Sequence, residues 1–118
     1  MKKAERADRL PLTAKCKKVL KDVLAAKSPT AAANIIATPK RPLEETLGII
    51  DNLDPLTAAF VIAVFRERAD GHLHHSLACS KAWAMELITK ADKLQIRGTL
   101  GFCYARDQVY DETGYFAG

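Results

Sequence analysis

One stretch, "DPLTAAFVIAVFRERADG" at residues 54–71, constrains the fold more than any other. Asp54 followed by Pro55 reads as a helix cap and a first-turn proline, and Gly71 reads as a left-handed stop. Between them the side chains are apolar nearly all round the helix until Arg66. A helix with no polar face has to be covered on every side, so residues 55–69 predict the central helix of a bundle. The unbroken apolar run "AAFVIAVF" is eight residues long, far short of the roughly 20 that span a bilayer.

The segments around it predict helices that can do the covering. In "TAKCKKVLKDVLAAK", Cys16, Val19, Leu20, Val23 and Leu24 fall at i, i+3, i+4, i+7 and i+8, with Thr13 as N-cap and Lys27 at the C-terminal end. "SPTAAANIIAT" has Ser28 to cap it, Pro29 in its first turn and Thr38-Pro39 to stop it. Pro42 opens "PLEETLGIIDNL", with Glu44 and Glu45 where the helix dipole favours anions and Leu43, Leu47 and Ile50 along its apolar edge. A fifth helix is expected from about His72 to Ile96, its stripe traced by Leu73, Leu77, Ala84, Leu87, Ile88, Ala91 and Leu94, with Trp83 at its flank and Gly98 as breaker. Residues 99–118 alternate like a strand at Leu100, Phe102 and Tyr104, yet Thr99 as cap and Gly114 as stop favour a sixth helix. The expectation is an all-α, single-domain bundle of five or six helices over residues 11–118, preceded by a flexible basic arm over residues 1–10.

Charge is unevenly placed. Residues 1–41 carry eleven Lys or Arg against three acidic residues, a balance of +8, while residues 42–118 balance at −4. Such a basic third suits an acidic protein partner or a nucleic-acid backbone. The candidate nucleic-acid contacts are Lys15, Lys18 and Lys21 on the first helix, with Lys40 and Arg41 at the "TPKRP" turn. A helix-turn-helix over residues 30–53 is disfavoured by a long, proline-bounded turn. Glu44 and Glu45 at the head of its second helix would also repel phosphates.

"GHLHHSLACS" is the one place where metal-ligand chemistry concentrates. On a helix, His72, His75 and Cys79 would share a face at i, i+3 and i+7, and imidazole and thiolate are zinc ligands. The pattern lacks a fourth ligand and any CxxC pair, so His72, His75 and Cys79 form only a weak metal candidate, and neither a metal nor another cofactor is expected. A Cys–His nucleophile needs an orienting group and oxyanion donors that the sequence does not supply nearby. Gly-rich phosphate loops, HExxH and nucleophile-elbow motifs are missing from the sequence, and no catalytic residue is assigned.

Six of the eight aromatic residues fall in the last 36 positions. Trp83, Tyr104, Tyr110, Tyr115 and Phe116 are therefore the candidate protein interface, since Trp and Tyr anchor binding hot spots. The amino-terminal "MKKAERADRL" is not followed by an apolar stretch, which predicts a cytoplasmic chain with no membrane partner. The expected function is non-enzymatic: a small regulator acting stoichiometrically on a protein partner, as an anti-activator, inhibitor or adaptor does, and as a homodimer. The alternative is a DNA-binding regulator that uses the basic third.

Overall fold

A computed structural model describes residues 9–99, and Tyr104, Tyr110, Tyr115, Phe116 and the expected sixth helix lie outside that range. Five helices follow in order: α1 (Ala14–Leu24), α2 (Pro29–Ile36), α3 (Leu43–Asp51), α4 (Pro55–Ala69) and α5 (Lys81–Leu94). The described residues form one compact all-helical globule without strands. As its all-round apolarity predicts, α4 is the hub: Ala58, Val61, Ile62, Ala63, Val64 and Phe65 are buried. It packs most extensively on α5 and then on α2, while α1 covers α2 and α3.

Short-range side-chain chemistry sets most of the helix starts. The Thr13 hydroxyl accepts from the Cys16 N–H at 3.2 Å, and the Ser28 hydroxyl accepts from Ala31 at 3.1 Å. The Asp54 carboxylate accepts from Thr57 N–H at 3.0 Å. A side-chain hydrogen bond with Thr57, supported by the Thr57 backbone N–H, holds the Asp54 carboxyl below its ordinary value against a partial desolvation. Asp54→Ala is expected to lower stability by about 1 kcal/mol at neutral pH. Because the folded value is depressed, this contribution is present above the ordinary carboxyl range and is lost as pH falls through the folded value. Thermal melts of both proteins at neutral and strongly acidic pH check it, and a gap that persists in acid would refute the capping role.

Helix α5 begins nine residues later than the periodicity predicts. Gly71 (φ +98°) closes α4, and Leu73 then takes a left-handed conformation at φ +60°. The Leu73 carbonyl accepts from both Ser76 N–H and Leu77 N–H, making a single turn that does not continue. Ser80 is the true N-cap, accepting from Trp83 N–H at 3.1 Å. Leu73 and Leu77 are both buried, so their i, i+4 spacing mimicked a helical stripe while serving a packed loop. At the other end Gln95 (φ +54°), not a glycine, takes the left-handed cap position.

The chain ahead of α1 is tied down at its base. Leu10 N–H donates to Asp51 Oδ2 at 2.9 Å, and Asn52 Nδ2 donates to Leu10 O at 3.0 Å. Gly48 makes this crossing feasible, since a Cβ there would sit 2.6 Å from Pro11 O. After α5, Arg97 N–H reaches Asp51 Oδ1 at 3.0 Å, so one buried carboxylate holds both ends of the described chain.

Candidate functional site

The loop between α4 and α5 disperses the residues that the sequence placed on one helical face. His72 Nδ1 lies 2.7 Å from Oε1 of the fully buried Glu67, and His72 N–H donates to Glu67 O at 2.8 Å. His75 is exposed, its ring 4.0 Å from that of His74, and Cys79 is buried. The metal face expected of His72, His75 and Cys79 is therefore not formed, because its helix is not. Among the described residues no group of three or more His, Cys, Asp or Glu is placed to hold a metal ion.

Burial pushes the Cys79 thiol up, outweighing the opposing pull of the Arg68 charge, and an upward shift disfavours the nucleophilic thiolate. Side chains from α2 and α4 hold this loop in shape. Asn34 on α2 donates through Nδ2 to Ser76 O at 2.8 Å and accepts through Oδ1 from Ala78 N–H at 2.9 Å. Arg68 Nε donates to Cys79 O at 2.9 Å. These side chains stand in for the helix hydrogen bonds the segment lacks. At pH 7, Cys79 is expected to react with an aromatic disulfide reagent at least 10-fold more slowly than a cysteine in the unfolded chain. Equal rates would show the loop opening freely.

The basic candidates divide into two groups. Lys15, Lys40 and Arg41 line one cleft of about 160 Å³ beside the turn from α2 to α3, with Thr38, Pro42 and Glu45. Lys18 follows Lys15 by three residues on the same helix, whereas Lys21 falls with Lys17 and Leu24 on a neighbouring strip at i, i+4 and i+7. Arg41 is partly committed, donating from Nη1 to Ile36 O at 2.7 Å. Cys16 Sγ donates to Glu45 Oε1 at 3.7 Å, so a carboxylate stands within the cationic cleft. Residues 46–51 of α3 are all buried, so only its first turn, with Glu44 and Glu45, could face a nucleic-acid groove.

Trp83 is half-buried and meets Phe65 edge to face, with ring centroids 5.7 Å apart, so most of its ring completes the core. The more telling apolar surface is one that periodicity concealed. Leu24 is 55% exposed and Leu56 is 53% exposed, although the first was expected in a core stripe and the second in an all-round buried helix. Phe60, one turn after Leu56, is also partly exposed. Leu24, Phe60, Val23, Val61, Pro29 and Lys27 border a groove of about 240 Å³ between the end of α1 and the first turns of α4. The signal was present in the strip shared by Leu24 with Lys17 and Lys21, since a core residue does not keep such company.

On α5, Met85 is 50% exposed beside Glu86, Thr89, Lys90 and Lys93, a shallower surface of mixed charge. Lys90 Nζ reaches Glu44 Oε2 at 3.5 Å, which ties the start of α3 to α5. No described helix is long and apolar enough to cross a membrane. Comparisons with family models, curated proteins and solved structures returned no match.

Proposed function

We propose that this chain is a small regulatory protein that acts without catalysis, by stoichiometric binding to an acidic protein partner. The observation that carries the reading is the surface at the end of α1: Leu24, exposed to solvent, borders an apolar groove with Phe60 and Val61 and shares its helix with a run of exposed lysines. Apolar side chains of this size, grouped and rimmed by charge, mark interaction surfaces more often than isolated ones do. Lys15, Lys17, Lys18, Lys21 and Lys27 form no ion pair among the described residues, so their field is available to steer an oppositely charged protein. The test is retention of a partner on immobilised chain, with a variant carrying Lys17→Glu and Lys21→Glu beside it. One protein held at defined stoichiometry by the wild type and lost by the variant supports the reading. Retention indifferent to the charge reversal, or none at all, overturns it.

A second reading rests on the convergence of Lys15, Lys40 and Arg41 at one cleft, a geometry that suits a nucleic-acid backbone. It predicts binding to a random-sequence duplex whose logarithmic salt slope is near −3 for about three phosphate contacts. Fluorescence anisotropy across low to physiological salt checks it. No binding at the lowest salt would end this reading.

A further inference from the structure

The groove between α1 and α4 admits a more specific statement, which rests on the protein-binding reading above. Its volume of about 240 Å³ lies below the roughly 300–1,000 Å³ of small-molecule sites, so it suits one or two anchoring side chains rather than a whole ligand. No strand edge exists among the described residues for an extended peptide to join. What the surface offers is a helix-lined trough: Phe60 and Val61 on α4, with Val23 and Leu24 on α1. That pattern takes the apolar face of another helix.

Charge chooses between occupants. Lys17 and Lys21 share the strip with Leu24, and Lys27 lines the groove itself. A second copy seated here would bring those lysines against their own counterparts across a two-fold axis, where like charges cost affinity. An acidic helix meets them favourably. We propose that this groove seats a single amphipathic helix of the partner, whose leucine-type anchors fill the cleft between Leu24 and Phe60 and whose carboxylates face Lys17, Lys21 and Lys27.

The test uses the full chain, isotope-labelled for NMR, and a synthetic helical peptide with leucine at i, i+4 and i+7 and glutamate elsewhere. A second peptide replaces every glutamate with lysine. The acidic peptide should shift the amide signals of Leu24, Lys27 and Phe60, bind one to one, and weaken as salt is raised. Leu24→Ser should weaken it at least 10-fold with an unchanged melting temperature, because that side chain lines the groove and is exposed. Absence of binding, shifts confined to other helices, or equal binding of the lysine peptide overturns the proposal. So would concentration-dependent shifts of Leu24 and Phe60 in the chain alone, which would assign the groove to a second copy. Failure here, with a partner still retained by the immobilised wild type and released by Lys17→Glu and Lys21→Glu, would leave the binding function standing and remove only the groove.

Discussion

Gly98→Ala is expected to destabilise the protein by about 2–6 kcal/mol, a large share of the roughly 5–15 kcal/mol that holds a typical domain folded. Two independent causes add at this position. Its φ of +100° lies outside the conformations L-residues adopt readily, and holding alanine there costs about 1–3 kcal/mol. A Cβ would also stand 2.5 Å from Ala58 C, 2.6 Å from Ala58 O and 2.8 Å from Ala59 N. Those atoms are the backbone of the central helix, which cannot turn aside as a side chain can, and overpacking of this sort adds about 1–3 kcal/mol. Gly71 separates the two causes. Its φ is +98°, but the nearest atom to its Cβ would be Lys81 Nζ at 3.9 Å. Gly71→Ala should therefore lose only the conformational part, about 1–3 kcal/mol. Denaturant melts of the three proteins decide the matter, and equal losses at Gly71 and Gly98 would show that the approach of the turn to α4 is looser than described.

The difference between these glycines shows where the sequence was legible. That Gly71 ends α4 could be read locally, because Asp54-Pro55 starts the helix and the apolar run stops in sequence order. Thr13, Ser28 and Asp54 were legible for the same reason: each acts on an N–H three residues away. Gly98 looked like an ordinary helix breaker, since nothing near it in sequence reveals that its turn rests on Ala58. The loop at residues 72–80 failed differently. Leu73 and Leu77 carry helical spacing, and what holds them in a loop is remote in sequence: Asn34, which supplies both a donor and an acceptor to Ser76 and Ala78, with Arg68 donating to Cys79 O. With that helix removed, the common face of His72, His75 and Cys79 disappears as well. The groove was hidden by a related error: Leu24 obeys the periodicity of a core residue, but α1 is too short and too peripheral for both edges of its stripe to be covered.

Buried charge is the other feature that pattern reasoning could not reach, and it carries the second large effect. Asp51→Ala should cost about 3–5 kcal/mol, as removal of one member of a buried charged network does. The Asp51 side chain is fully buried at the end of α3, and its two oxygens accept from Leu10 N–H at 2.9 Å and Arg97 N–H at 3.0 Å. Arg9 Nη1 stands 3.9 Å from Oδ1 as a partial counter-charge. Alanine would leave both of these backbone donors without their acceptor, at about 1–3 kcal/mol each where water cannot replace it, and would open a void beside them. The partners are 41 and 46 residues away in sequence, which is why a carboxylate near a helix end gave no warning of its role. Asp51→Asn tests the hydrogen-bonding account against simple packing. It fills the same space but turns one acceptor into a donor facing an N–H, so it should recover less than half of the loss, whereas a packing role would be almost fully restored. Amide exchange gives the local signature: protection of Leu10 and Arg97 should fall further than that of the α4 core in Asp51→Asn. Uniform loss across the chain would mean that Asp51 supports the globule as a whole rather than clasping its two ends to α3.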